Sequence, residues 1–258
     1  MDKSKFYLVT YNWLFLLFVF LFLHFWQSIS VWYIIGLTTA YLLVLAAGAL
    51  FFRWNFYLEA IHHGSRRVKQ VALTFDDGPS AKTETFLDVL KQEQVNATFF
   101  LIGENSTNLR KTVRKIYEEG HLLGNHSFAH NVKFTFQNKQ KVLDDLQRGS
   151  KAIEQIIGKK PLFFRPPYGV TNPEIAKAVK ELEYTVVGWS VRSFDTRFKN
   201  PEKLLIRLKQ KTKAGDIVLL HDYPEVTPKI LSDYITWLKQ NDFQIVSLQS
   251  LINHKAYA

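Results

Sequence analysis

The chain has 258 residues, with 33 Lys and Arg against 23 Asp and Glu, a formal net charge of +10 and no cysteine. This length accommodates one good-sized domain plus an accessory segment, and the missing cysteine excludes disulfides and thiolate metal sites. The positive charges are mixed with acidic residues, as in KQKVLDDLQRGSK, and lack interleaved aromatics; a solvated or lipid-facing surface explains them better than nucleic acid does.

From Phe6 to Phe52 there is no Lys, Arg, Asp or Glu. Within it, 7–26 and 31–52 are apolar runs, each long enough to cross a hydrocarbon core of roughly 30 Å at about 1.5 Å per helical residue. Gln27-Ser28-Ile29-Ser30 is a polar break between them, and Trp26, Trp32, Tyr33 and Trp54 suit interfacial positions. The pattern predicts a two-helix anchor in membrane lipid over residues 1–53, followed by a basic linker over 54–69. A cleaved export signal is the competing reading, with Lys3 and Lys5 as its basic start, but the apolar region far exceeds the about 7–15 residues such a signal uses. Lys3, Lys5, Arg53, Arg66, Arg67 and Lys69 flank the hairpin, and the uncharged break does not balance them, which favours a cytoplasmic domain.

Over 70–258 short apolar strands alternate with amphipathic helices. The strands are expected at Val71–Phe75, Ala97–Ile102, Leu162–Phe164, Thr185–Val191, Asp216–Leu220 and Gln244–Leu248. Helices are expected at Thr83–Gln92, Leu109–Glu119, Lys139–Ile157, Pro173–Lys180, Pro201–Lys211 and Thr227–Gln240. Such alternation gives an α/β fold with a parallel sheet, open or closed into a barrel.

Several strands end in chemistry. VALTF runs into Asp76-Asp77, PLFF into Arg165-Pro166-Pro167-Tyr168, VVGWSV into Arg192-Ser193-Phe194-Asp195, and DIVLL into His221. Reactive groups of β/α folds gather beyond the carboxyl ends of parallel strands, so four such ends imply one shared site. Two adjacent aspartates there repel each other and call for a counter-charge, unless they form only a solvated turn. His126 and His130 in GNHSFAH are four apart, a spacing that puts both imidazoles on one side of a helical turn, in reach of one ion. Two His and one Asp leave a coordination position open, as hydrolytic zinc sites require.

In order along the chain, TFDDGP, HSFAH, RPPYG, WSVRSFDT and LLH resemble the five motifs of the polysaccharide deacetylase family, also called the NodB-homology or carbohydrate esterase 4 family; NATFFLIGENS is similar to its second strand. The resemblance spans about Gln70 to Leu251. It implies a distorted (β/α) barrel, preceded here by the two membrane helices, and metal-dependent removal of N-acetyl groups from an amino-sugar glycan or glycolipid; most members act outside the cytoplasm, which sets the resemblance against the charge rule and leaves the side of the domain open. By the same resemblance, Asp77, His126 and His130 hold a divalent metal, zinc first, with cobalt or another ion as alternatives. Asp76 is then the general base, and Arg165 the cation that keeps it ionised. His221 is the general acid, and Asp195 its tuning carboxylate. Leu219 walls the acetyl pocket, Pro167 and Trp189 contribute to substrate binding, and the Tyr168 backbone N–H donates to the oxyanion.

The fourth motif departs from the common pattern, which often has Asp where Arg192 stands and Trp where Thr196 stands. Arg192 and Arg197 are expected either to meet an anionic group on the substrate or to be plain exposed arginines. Three other readings compete. One is a membrane-bound glycan-binding pseudoenzyme; another is a deacylase acting on a non-acetyl group of a lipid-linked sugar. The third, a glycosidase using Asp76 and Asp77, is disfavoured because adjacent residues cannot flank one glycosidic bond from opposed faces.

Overall fold

A computed structural model describes residues 4–258; Lys3 lies outside them. Helices α1 (Lys5–Gln27) and α2 (Val31–Leu50) occupy the two apolar runs. Ser28 turns the chain in the left-handed region, and Ser30 caps α2 by accepting from the Trp32 N–H. They pack antiparallel: Tyr41 of α2 stacks on Trp13 with centroids 4.3 Å apart and bonds Thr10 at 3.0 Å. No residue of α1 is buried, and Phe15, Phe18 and Phe25 are among its exposed rings.

The stretch after α2 is packed against the rest of the chain. Phe52, Phe56, Tyr57 and Ala60 are buried. Tyr57 donates to the Leu45 carbonyl at 2.8 Å, and Gly48 is needed where the Phe56 ring presses on α2, because a Cβ there would overlap that ring. Ile61 bridges to Val187 and His63 to Asp216, so residues 54–69 run along the sheet margin.

The elements then follow as β1 (Gln70–Gly78), α3 (Thr83–Gln92), β2 (Thr98–Leu101), α4 (Gly103–Asn108), α5 (Arg110–Glu118), β3 (Leu122–Asn125), α6 (Lys139–Ile157), β4 (Phe163–Phe164) and α7 (Pro173–Glu181). The remainder is β5 (Thr185–Val186), β6 (Val191–Arg192), α8 (Pro201–Lys211), β7 (Asp216–His221), α9 (Val226–Gln240), β8 (Gln244–Ile245) and α10 (Leu248–Ile252). Expected helix boundaries agree to within one residue, because Asn138, Asn172 and Asn200 cap α6, α7 and α8 and Pro173 and Pro201 open two of them.

All strand pairs are parallel, in the order β5-β4-β3-β2-β1-β7-β6, with β8 beside the start of β1. The sheet curls, but among the described residues no ladder joins β5 to β6, so it is an open (β/α) half-barrel. The expected strand Thr185–Val191 is accordingly two: its start pairs with β4 and its end with β7, and the chain over 187–190 crosses the gap. Strand β3 was not expected, since four buried residues containing Gly carry no usable period. Leu248 opens α10 instead of ending β8, capped by Ser247.

Alternation along β1 sorts its side chains by depth. Val71, Leu73 and Phe75 enter the large core under α3, α8 and α9. Ala72, on the other face, joins Phe100, Phe163, Ile217 and the apolar side of α10, which plugs the base of the half-barrel. Thr74 stands above that plug and Asp76 at the rim. The layer of stacked Phe75 and Phe99, ring centroids 5.0 Å apart, ties β1 to β2 beneath the site. Phe99→Ala is expected to cost about 3–5 kcal/mol in chemical denaturation, while Phe136→Ala, whose ring is 85% exposed, should stay within about 0.5 kcal/mol.

Candidate metal and catalytic site

Asp76 and Asp77 are neighbours, so regular pleating would send them to opposite faces. A bulge prevents this: the β1–β2 register shifts between Asp76 and Gly78, and Asp77 adopts φ 70. Both carboxylates therefore border one cavity of about 170 Å³ at the carboxyl end of the sheet.

His126 and His130 arrive from the loop after β3. The expected helical turn is absent, because Ser127 (φ 69) and His130 (φ 45) are left-handed and the chain between them is not helical. Side chains set this loop. Asn125 accepts from the Ser127 N–H, Ser127 from the His130 N–H, and Asp145 of α6 from the Phe128 N–H, at 2.9, 3.0 and 2.7 Å. Asn125 also donates to the Leu146 carbonyl and Tyr184 hydroxyl, both at 2.8 Å. None of this support was found from sequence, although Asn125 directly precedes His126 in GNH.

The loop puts His126 Nε2 3.4 Å and His130 Nε2 3.2 Å from Asp77 Oδ1. Among the described residues this is the one group of three with metal-ligand chemistry, its donor atoms all within 4.8 Å of one another. The donor set fits a borderline divalent ion: two imidazoles, one carboxylate and open space. His126 Nδ1 lies 2.7 Å from the Arg165 carbonyl, which takes the Nδ1 proton and leaves Nε2 free as a ligand. Burial pushes the Asp77 carboxyl up, but the His126 hydrogen bond and the charges of His126, His130 and His221 outweigh it and bring it to about 2. Burial pulls His130 down to about 4, helped by the charge of His126. Burial also pulls on His126, yet Asp76, Asp77 and the Arg165 carbonyl win and hold it above its ordinary value.

On one flank, fully buried Arg165 reaches Asp76 Oδ1 at 2.6 Å. Its guanidinium lies 4.0 Å from the Phe100 ring centroid and donates to Thr74 Oγ1 at 2.9 Å, the Val187 carbonyl at 3.1 Å and the Gly188 carbonyl at 2.9 Å. Here is the counter-charge that the aspartate pair called for. On the other flank, His221 stands opposite Asp76 in the β1–β7 register, with its Nε2 3.8 Å from Asp77 Oδ2. Asp195 takes its Nδ1 proton at 2.8 Å and its backbone N–H at 2.8 Å, and is itself held by Ser193 and Thr227, each at 2.9 Å. Burial lowers the His221 pKa, but the Asp195 hydrogen bond and charge dominate and raise it overall.

Leu219, Trp189, Tyr168 and Arg192 border the same cavity as the metal trio. Pro167 does not; Pro166 takes that place, and Pro167 is buried where the short 167–169 turn begins. Tyr168 adopts φ 60 and donates its hydroxyl to the His130 carbonyl at 3.1 Å. Gly169 is required beside Trp189, whose ring a Cβ would approach to 2.6 Å. Tyr223 and Thr196 also line the cavity.

The profile of the polysaccharide deacetylase family matches residues 63–187. A peptidoglycan-N-acetylglucosamine deacetylase of Bacillus cereus is 35% identical over 193 residues, 72% of this chain and 90% of that protein. The peptidoglycan-N-acetylglucosamine deacetylase PgdA of Listeria monocytogenes is 35% identical over 188 residues; this chain spans only 40% of its length, with 72% of this chain covered. A crystal structure of the Bc1960 peptidoglycan N-acetylglucosamine deacetylase superposes with a TM-score of 0.73 at 29% identity, covering 76% of this chain and 94% of that one.

A metal must displace the proton that His126 holds above its ordinary pKa. Zinc affinity measured by calorimetry should therefore rise about tenfold per pH unit below that pKa and level off above it, His130 and Asp77 being already unprotonated near neutrality. Asp77→Ala and His130→Ala should each abolish tight binding.

Proposed function

The chain belongs to the polysaccharide deacetylase family, and from that premise we propose that it hydrolyses the acetamido group of an amino-sugar glycan, releasing acetate and leaving a free amine. One observation carries the reading: a three-ligand metal group with an Arg-held carboxylate on one flank and an Asp-held imidazole on the other. A binding module needs neither an open coordination position nor a proton donor.

Asp77, His126 and His130 hold the ion, for which we favour zinc over cobalt or another divalent metal. When bound, that ion supplies a Lewis acid and can bring the pKa of attacking water to about 7. Asp76 takes the proton that the attacking water releases, and the Arg165 guanidinium, 2.6 Å from its Oδ1, aims it. The Tyr168 backbone N–H donates to the oxygen that gains charge. Leu219 walls the acetyl methyl, with Trp189 beside the sugar. His221, oriented by Asp195, protonates the departing nitrogen, because an amide anion leaves far too slowly unprotonated. The curated relatives, named for deacetylating peptidoglycan N-acetylglucosamine, support N-acetylglucosamine as the sugar acted on, whether in a polysaccharide, an oligosaccharide or a lipid-linked sugar.

We read residues 1–53 as the membrane anchor and 70–258 as the catalytic domain. Both helices are long and apolar enough to cross a membrane. The basic flanks Lys5, Arg53, Arg66, Arg67 and Lys69 favour the cytoplasmic face for the domain.

Asp76→Asn should keep the metal, read by elemental analysis, while acetate release falls about 10²- to 10⁴-fold. The raised pKa of His221 keeps it a proton donor until the pH rises through that value. Asp195→Asn removes the main cause of the rise, leaving the weaker pull of Asp76 and Asp77, so the alkaline fall of kcat should move to lower pH; an unmoved limb refutes His221 as the acid. The full chain should stay in the membrane fraction after an alkaline carbonate wash, and appearance in the supernatant refutes the anchor.

A further inference from the structure

Resting on the deacetylase reading, we propose that the amino sugar taken by this site carries a phosphate, and that Arg192 binds it with Arg197 in support. Arg192 borders the same cavity as the metal trio. Its guanidinium carbon lies 4.9 Å from the Phe194 ring centroid and 5.7 Å from that of Trp189. Arg197 sits 5.8 Å from the same Phe194 ring. A third guanidinium on this ring, that of Arg207, is occupied by the Ser193 and Arg192 carbonyls, each at 3.1 Å. Among the described residues, neither Arg192 nor Arg197 forms an ion pair or a side-chain hydrogen bond.

Solvated arginines without partners are common, but Arg192 is held by aromatic faces on the wall of the reaction cavity, and Arg197 shares its Phe194 ring. Burial and then the charge of Arg197 keep the Arg192 pKa below its ordinary value, so the two cations feel each other. Asp76 and Asp195 also attract Arg192, yet each carboxylate is already taken, by Arg165 and His221. Two open guanidinium forks offer several N–H donors in the geometry that an oxyanion accepts. A phosphate presents several strong acceptor oxygens to two such forks, with charge about −1.5 to −2 as a monoester and about −1 as a diester joined to a lipid.

There is room for such a group. Thr196 borders both the metal cavity and an adjoining cleft of about 370 Å³, which Lys199 and Lys229 also line. The phosphate can belong to a free sugar phosphate or to a lipid-linked sugar. The second source is favoured by the hairpin exit: Phe52 packs on Trp189 with centroids 5.6 Å apart, and Arg53 donates to the Trp189 carbonyl at 3.2 Å.

The test uses zinc-loaded full-length protein and three substrates: chitotetraose, N-acetylglucosamine 1-phosphate, and N-acetylglucosamine joined through phosphate to a polyprenol in phosphatidylcholine vesicles. The wild type should favour the phosphorylated substrates. Arg192→Ala should lower the ratio of phosphorylated to neutral kcat/KM about 10- to 100-fold, mainly through KM. Preference for the vesicle-borne substrate assigns the phosphate to a lipid headgroup; equal rates on both phosphorylated substrates assign it to a soluble sugar. A wild type that favours chitotetraose, or a ratio unmoved by Arg192→Ala, overturns the proposal. Calorimetric binding of N-acetylglucosamine 1-phosphate decides it apart from turnover. Binding that weakens in Arg192→Ala, with no acetate from any substrate, sinks the deacetylase reading and leaves the phosphate site standing; absence of binding and of turnover sinks both.

Discussion

The buried Arg165–Asp76 pair is the interaction on which the rest of the site depends. A guanidinium with no solvent exposure is costly to desolvate, and an ion pair alone seldom recovers that cost. Here every face of the group is used. Thr74 and Asp76 accept from one nitrogen, the Val187 and Gly188 carbonyls from the others, and the Phe100 ring lies beneath. The Arg165 backbone binds too, donating to the Asn125 carbonyl at 3.0 Å and accepting from His126. One residue thereby ties β1, β3, β4 and the 187–190 crossing together, so the Asp76 carboxylate is aimed by its side chain and the His126 imidazole by its backbone.

The two flanks handle charge differently. Asp76 faces a cation that never titrates, whereas His221 faces a carboxylate that rewards its protonation. Opposite environments suit the two groups to the opposite proton roles proposed for them. Against the upward push of burial, the Asp77 carboxyl beside them is held below its ordinary value by the His126 hydrogen bond and the charges of His126, His130 and His221.

Much of this was legible in the sequence. The strand ends carried it: Asp76, Arg165, Asp195 and His221 each follow an apolar run, and parallel topology brings such ends to one rim. The six longer helices of the domain were legible from their amphipathic patterns, and the short α4 and α10 were not. What escaped was whatever depends on backbone off the regular lattice. The left-handed Asp77 turns a face-alternating pair into a converging one, and no pattern of residue types announces a bulge. Spacing alone gave His126 and His130 a helical turn, although Ser127 and Asn125 form a hydrogen-bonded loop that reaches the same convergence by another route. Strand β3 was too short to show a period, and the apolar run at 185–191 concealed a change of partners midway.

Trp189 is a party wall. One face of its surroundings is the reaction cavity, through Gly169 and Arg192; another is the root of the hairpin, through Phe52 and Arg53. Trimming the chain to a water-soluble fragment that begins at Gln70 would strip the backing from this indole and uncover the seam where Ile61 and His63 lie along the sheet. A fragment meant to retain native turnover therefore has to start upstream of Phe52, even though that residue belongs, by composition, to the greasy part of the molecule.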